Sequence, residues 1–355
     1  MQGQQTFSEY IIGEQQQVPR ATGGFTALLS DIRLACKRIA YLVGKGALAQ
    51  GMAFSGGDAA DHGAKLHAQA HEIFINANER GGHLAGMLSE QLERHCEIPG
   101  RYPRGPYLLL FDPLDGSTNV DVNVALGSIF SVIRCQQGTA QAGASGFLRP
   151  GVEQVCAGYA IYGPTTILVL TLGRGVHGFT LDREIGEFIL THADMRIPED
   201  ADEFAINASN ERFWEPPVKR YISECLAGGS GPRGKDFRMR WVASLVAEIH
   251  RILVRGGVFL SPHDTREPDR PGRMRLLCEA NPLAMLVEQA GGAASTGKQR
   301  ILELAPVSLH ERVPVILGSK SEVERIEQYH REHEQGLDQP YTSPLFNTRS
   351  LFMNS

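Results

Sequence analysis

The chain of 355 residues has no Cys-x-x-Cys pair; its six cysteines, Cys36, Cys96, Cys135, Cys156, Cys225 and Cys278, are scattered. That pattern excludes a zinc ribbon and points to reduced thiols in place of a disulfide framework. No apolar run approaches the roughly 20 residues that span a bilayer. Positive charge is not in excess either: 35 Lys and Arg against 40 Asp and Glu leave a net charge of -5, so neither nucleic acid nor an anionic membrane is an expected partner. A negatively charged ligand would need a local site. The first residues, MQGQQTFSEYIIGEQQQ, lack a basic segment followed by an apolar one, so no secretory signal is expected, and a cytoplasmic location follows by elimination. There is no internal repeat to suggest a solenoid. What is present, 42% hydrophobic and 21% charged residues, is the composition of a globular protein with enough chain for one large layered domain or two smaller ones.

Residues 28–43 place Ile32, Cys36 and Ile39 at helical spacing behind Ser30-Asp31, which predicts a helix with a cap at that pair, and 65–80 reads as a second helix. Short β-prone runs follow at 127–133, 156–162, 166–172, 176–180 and 187–190, separated by turn residues. They predict one largely antiparallel meander. The polar stretch 193–203 reads as a domain boundary, dividing the chain into 1–196 and 197–355. Beyond it, 241–257 and 281–292 read as helices, the latter capped by Asn281-Pro282, and the last 17 residues, 339–355, show no periodicity.

Within this frame one stretch stands out: FDPLDGSTN, Phe111 to Asn119, directly after the apolar run YLLLF. Asp, Pro and Gly are common turn formers, so in isolation the stretch reads as a turn ending a strand. The spacing adds more. Asp112 and Asp115, three apart around Pro113, can converge on one hard cation with the Leu114 carbonyl between them, and Gly116, Ser117 and Thr118 can present backbone N–H groups to an anion. Glu90, at the end of a helical or loop segment, and Glu279, just before the Asn281 helix, would raise the count to four negative charges. Four charges balance two Mg²⁺ ions, and the chemistry that follows is hydrolysis of a phosphate ester by an activated water.

With these residues together, the chain resembles class 1 fructose-1,6-bisphosphatases, within the Mg²⁺-dependent, lithium-sensitive sugar and inositol phosphatases. DPLDGSTN followed by VDVNVALGSIF carries the resemblance in the first half, and GPRGKDFRMRWVASLVAEIHRILVRGGVFL with GRMRLLCEANPLAMLVEQAGG carries it in the second. The resemblance implies a mixed α/β, or α+β, chain in a layered α-β-α-β-α fold, usually a homotetramer, with an N-terminal regulatory half and a C-terminal sugar-binding half. It implies Glu90, Asp112, Asp115, Glu279 and the Leu114 carbonyl as the shell for two or more Mg²⁺ ions, with Mn²⁺ as a substitute. Asp115, Gly116, Ser117 and Thr118 would hold the phosphate that is cleaved. Asn207, Arg240, Trp241, Ser261 and Arg273 would hold the sugar and its second phosphate, Arg240 from across a subunit boundary. The implied activity is removal of the 1-phosphate of fructose 1,6-bisphosphate, in gluconeogenesis or a Calvin-type cycle, with sedoheptulose bisphosphate as an alternative substrate.

The chain also departs from that pattern. It reads KLH where the family reads KLD, and SEQ where the family reads SEE, so His67 and Gln91 stand at two carboxylate positions on the general-base side of the reaction. Gln91 cannot accept a proton near neutrality, whereas His67 can. Trp241 and Ser261 replace tyrosines, Arg273 a lysine and Cys278 a tyrosine. A lost phenol hydrogen bond to phosphate costs about 1.5–3 kcal/mol, while Arg273 keeps the charge and gains a fork suited to phosphate. These departures motivate a second reading, a catalytically weakened paralogue that binds sugar phosphates as a regulatory subunit. His67 and His71, four apart on a helix, also have the spacing of a zinc pair, but without the glutamate of H-E-x-x-H. Thr22, Thr26, Tyr107 and Arg134 align with positions that bind inhibitory AMP in some relatives, but Gly24 and Pro106 replace Glu and Lys, and strong AMP inhibition is not expected.

Overall fold

The computed structural model describes residues 5–17, 23–46, 48, 59–135, 143–267 and 272–337, the side chains of 59–62 excepted. Thr22 and the segment 339–355 therefore lie outside the described residues. Three helices come first, α1 (Phe7–Gln16), α2 (Gly24–Lys45) and α3 (Ala59–Asn78). They lie on an eight-stranded sheet made of β1 (Leu84–Ser89), β2 (Cys96–Glu97), β3 (Tyr107–Asp115), β4 (Leu126–Arg134), β5 (Gln154–Tyr162), β6 (Thr166–Thr171), β7 (His177–Asp182) and β8 (Glu187–His192), in the order β2-β1-β3-β4-β5-β6-β7-β8. From β3 to β8 every neighbour is antiparallel, the expected meander, but β1 runs parallel to β3.

Strand alternation explains why helices cover both faces. On β5, Cys156, Ala160 and Tyr162 face the core shared with Leu28, Ile32, Cys36 and Phe74 of α2 and α3, whereas Ala157, Tyr159 and Ile161 face a second core. Side chains two apart share a face of a strand, so one chain segment serves two layers. The second core belongs to α5 (Leu245–Arg255) and α6 (Asn281–Gln289), which lie between the first sheet and a five-stranded one. All seven residues from Asn281 to Val287 are buried, as a helix packed between two sheets requires. The second sheet, in the order β10-β9-β11-β15-β13, comprises β9 (Glu203–Ile206), β10 (Arg238–Met239), β11 (Val258–Ser261), β13 (Ala293–Ser295) and β15 (Val315–Gly318); β12 (Met274–Arg275) and β14 (Arg312–Val313) pair separately. Its far face packs Phe204, Ile206, Leu260 and Ile316 against α4 (Pro216–Leu226) and α7 (Lys320–Glu334). The result is the layered α-β-α-β-α arrangement.

Several local expectations need correction. The second helix starts at Gly24, behind Gly23 at φ 79°, and Ser30 is an interior residue whose Oγ donates to the Thr26 carbonyl at 3.0 Å. Burial of Leu28 and Leu29 against the sheet outweighs the local cap signal. Residues 241–243 are not helical; α5 begins after Ser244, whose hydroxyl caps the Ala247 N–H. The polar stretch at 193–203 runs from β8 of the first sheet to β9 of the second, with Met195 and Ile197 buried in the middle core and the Ile197 N–H donating to the Ala290 carbonyl at 2.8 Å.

Candidate functional site

Asp112 and Asp115 sit at the end of β3, and the strand continues through Pro113 where a turn was expected. Residues three apart in a regular strand point to opposite faces. Here Asp112 lies opposite Ile129 and Asp115 opposite Gly127, so β3 takes three steps where β4 takes two. That extra residue is a β-bulge, and it turns both acids toward one side. Pro113 is tolerated at the irregularity, where its missing N–H costs no ladder bond, and its carbonyl accepts from Ser128 Oγ at 2.7 Å. The Leu114 N–H donates to Asp112 Oδ1 at 3.0 Å. Asp115 Oδ2 accepts from the Val246 N–H at 2.9 Å and Ser244 Oγ at 3.2 Å, both at the start of α5, where the helix dipole favours a carboxylate. This approach depends on Gly127: a Cβ there would lie 2.6 Å from three side-chain carbons of Val246.

Gly116, at φ 77°, is left-handed and leads into a 3-10 turn at Ser117–Asn119, where a side chain would be strained. Asn119 Nδ2 donates to the Ala243 carbonyl at 2.9 Å, fixing that turn to the loop before α5. Gly63 of α3 packs against the Ser117 carbonyl, which a Cβ would approach to 2.5 Å.

Glu90 follows a strand, not a helix or loop. Ser89 pairs with Phe111 in the parallel β1–β3 ladder, so Glu90 and Asp112 leave the sheet side by side, with the Glu90 N–H donating to the Phe111 carbonyl at 2.9 Å. Glu279 lies in one π-helical turn, Leu276–Ala280, that runs into α6. Asn281 is therefore not a cap; it is a buried helical residue, and the Arg275 N–H donates to Glu279 Oε2 at 2.5 Å.

Two groups of ligand-type atoms result: Asp112, Asp115 and Glu279 in one, His67, Glu90 and Asp112 in the other, each with its atoms within 4.8 Å of one another. Burial, then repulsion from Asp115, pushes Asp112 up to about 8; burial, then repulsion from Asp112, pushes Glu279 up to about 8. Burial raises Asp115 as well, against its hydrogen bonds. Three crowded carboxylates with so little compensating charge fit a divalent cation with oxygen ligands.

Sequence reasoning missed Arg275, which ion-pairs with Glu90 Oε1, and the Ser244–Val246 cradle of Asp115. The available signals were an arginine four residues before Glu279 and a serine opening the α5 helix. His67 Nε2 lies 3.6 Å from Asp112 Oδ1 and 3.8 Å from Glu90 Oε2, buried and without a hydrogen-bond partner. Burial, aided by the Arg275 charge, lowers the His67 pKa, against Asp115. His71 turns elsewhere, its Nδ1 2.8 Å from Ser89 Oγ and its ring stacked 6.0 Å from Phe111, so the two histidines do not form a metal pair. Gln91 is exposed, with its N–H 3.3 Å from Ser89 Oγ.

Asp115 and Glu279 also line a solvent-open cleft, together with Asn207, Trp241, Ser261 and Arg273. Asn207 Oδ1 is engaged by Ser209, from Oγ at 2.6 Å and N–H at 3.2 Å. Trp241 stacks on Phe259 at 6.2 Å with 6° between planes. Arg273 Nη2 is 3.9 Å from Asp264 Oδ2. Arg240 is half exposed, lies outside the lining of the cleft and pairs with Glu203 Oε1 at 3.3 Å. Of the aligned regulatory positions, Tyr107 packs on Phe25 at 5.3 Å and pairs with Arg134 across β3–β4, while Thr26 Oγ1 donates to Gln15 Oε1 at 2.5 Å.

A layered α-β-α-β-α chain with clustered carboxylates opening into a polar-lined cleft has the architecture of the metal-assisted sugar phosphatases. The chain belongs to the fructose-1,6-bisphosphatase family: residues 5–193 match "Fructose-1-6-bisphosphatase, N-terminal domain" and 197–331 match "Fructose-1-6-bisphosphatase, C-terminal domain". It is 56% identical over 350 residues to the class 1 fructose-1,6-bisphosphatase of Hydrogenophilus thermoluteolus, covering 98% of this chain and 97% of that one. A class 1 fructose-1,6-bisphosphatase of Methylibium petroleiphilum is 54% identical over 352 residues, covering 99% and 98%. Among solved structures, the holo form of Leishmania major fructose-1,6-bisphosphatase superposes with a TM-score of 0.83 at 37% identity, over 92% of this chain and 99% of that one. Membership implies divalent metal use, in accord with the acidic cluster. Among the described residues no helix is long and apolar enough to cross a membrane.

Proposed function

We propose that this chain hydrolyses the 1-phosphate of fructose 1,6-bisphosphate, giving fructose 6-phosphate and phosphate. The single observation that carries the reading is that Asp115 and Glu279, members of the carboxylate cluster, line the same cleft as Asn207, Trp241, Ser261 and Arg273. Asp112, Asp115, Glu279 and Glu90, with the Leu114 carbonyl, would hold Mg²⁺, with Mn²⁺ as a substitute. When bound, these cations neutralise phosphoryl charge and lower the barrier to attack by water. The amides from Gly116 to Thr118 hold the phosphate that leaves, and Arg273 and Asn207 hold the sugar and its other phosphate while Trp241 forms a wall. Preorganised donors aimed at developing charge supply most of such catalysis. Arg240, with its exposed side chain, serves a neighbouring subunit of a homotetramer. The chain divides functionally at 196/197 and acts in the cytoplasm, in gluconeogenesis or a Calvin-type cycle.

A second reading, a sugar-phosphate-binding subunit of low turnover, is supported by His67 and Gln91 at two positions where the family has carboxylates. Phosphate release from fructose 1,6-bisphosphate, sedoheptulose 1,7-bisphosphate and an inositol monophosphate, each titrated with Mg²⁺ and Mn²⁺, separates the readings. Turnover of fructose 1,6-bisphosphate is expected. No release from any of them, together with a gain of several orders of magnitude in His67→Asp/Gln91→Glu, would favour the second.

A further inference from the structure

We propose that His67, Glu90 and Asp112 form a nitrogen-and-oxygen cation site that selects a borderline transition ion, Zn²⁺, over Mg²⁺. This goes beyond the family reading, in which oxygen ligands alone hold the metals, and rests on the acidic cluster being a metal site. His67 Nε2 faces Asp112 Oδ1 at 3.6 Å and Glu90 Oε2 at 3.8 Å. Both separations are too long for a hydrogen bond, and the nitrogen is buried without any such partner. An unpaired buried polar atom costs stability, so its environment needs an explanation. A tetrahedral ion with bonds of about 2.0–2.2 Å holds neighbouring ligand atoms about 3.3–3.6 Å apart, close to the spacing found.

The rest of the site is arranged to leave these atoms available. Arg275 occupies Glu90 Oε1, so Oε2 is the oxygen turned toward His67. Asp112 Oδ1 is held by the Leu114 N–H, which fixes its direction. His71, the other candidate nitrogen on α3, is taken up by Ser89. The ligand set is therefore one imidazole and two carboxylates. Mg²⁺ demands near-octahedral oxygen coordination and gives up water reluctantly, whereas imidazole suits Zn²⁺ and other later divalent ions. With a histidine in place of an aspartate, the site also carries one negative charge less, which weakens a hard cation more than a borderline one.

The test uses the full-length chain, stripped of metal by a chelator. Electron spin echo spectra of the Mn²⁺-loaded wild type are expected to show imidazole nitrogen coupling, which disappears in His67→Asp. In calorimetric titrations, His67→Asp is expected to lose at least about tenfold in Zn²⁺ affinity while Mg²⁺ affinity rises, so that the Zn²⁺-to-Mg²⁺ ratio changes by more than tenfold. Wild-type spectra without nitrogen coupling would overturn the proposal whether or not the variant folds, and so would an unchanged affinity ratio in a folded variant. Neither measurement needs substrate: nitrogen coupling without phosphate release would sink the proposed activity and leave this site standing, and the reverse result would do the opposite.

Discussion

Replacing Gly127 with alanine tests how the fold aims Asp115. The added Cβ would lie 2.6 Å from Val246 Cβ, Cγ1 and Cγ2, whereas carbon atoms pack best at about 3.5–4.0 Å. Val246 is completely buried in the middle core, so the start of α5 must move by about 1 Å, an overpacking cost of about 1–3 kcal/mol. The same shift would stretch the Val246 N–H and Ser244 Oγ bonds to Asp115, now 2.9 and 3.2 Å, beyond the range in which a hydrogen bond holds. Losing one bond to a charged group costs about 1.5–3 kcal/mol, so half-saturation by Mg²⁺ should rise roughly tenfold or more. Urea melts and Mg²⁺ titrations of phosphate release provide the measurements. Val246→Ala removes two of the three clashing carbons, and the double variant should be more stable than the summed single effects by at least about 0.5 kcal/mol. Full stability and normal Mg²⁺ dependence in Gly127→Ala would refute the reasoning.

The metal-free protein should lose stability as pH rises from about 4 to about 8: Asp112 and Glu279 are raised to about 8 by folding, so in that window the folded state binds more protons than the unfolded one. Melting temperatures in chelator should therefore be lower at about pH 8 than at about pH 5, and Mg²⁺ should raise the melting temperature more at the higher pH; a metal-free stability that climbs through this window contradicts the assigned burial. Glu248 is fully buried, accepts from the Val242 N–H at 2.6 Å and pairs with Arg251 at 3.1 Å. Glu248→Ala strands the Val242 N–H, whereas Arg251 keeps its 2.6 Å bond to Glu203 Oε2, and should cost about 1–3 kcal/mol. Because Val242 adjoins Trp241, KM for the sugar bisphosphate should rise more than kcat falls, and unchanged stability and KM would show that Glu248 does not hold that loop.

The layers were legible because their signals are local: the β-prone run 156–162 bounded by turn residues and the helical spacing in 28–43 can be read without their neighbours. What the sequence could not show were features created by neighbours. Asp112 and Asp115 were visible as a pair, but their shared direction comes from a bulge that depends on the register with β4. Glu90 was visible as an acid, but its place beside Asp112 comes from parallel pairing of β1 with β3, which no local propensity encodes. Asn281-Pro282 has the chemistry of a cap and yet lies inside continuous helix, because a π turn supplies the preceding residues. Arg275 was overlooked since an arginine near an acid is common in sequence, whereas its contact with Glu90 joins segments 185 residues apart. His67 and Gln91 were legible as departures, but only the structure separates them, one facing the carboxylates and the other exposed.

The most direct test of the central claim is ³¹P NMR of the purified full-length chain incubated with fructose 1,6-bisphosphate and Mg²⁺. The account predicts that the 1-phosphate resonance is replaced by inorganic phosphate while the 6-phosphate persists, and that Asp112→Asn abolishes the change. An intact substrate spectrum under every divalent ion tried, or fructose 1-phosphate as the product, would contradict it.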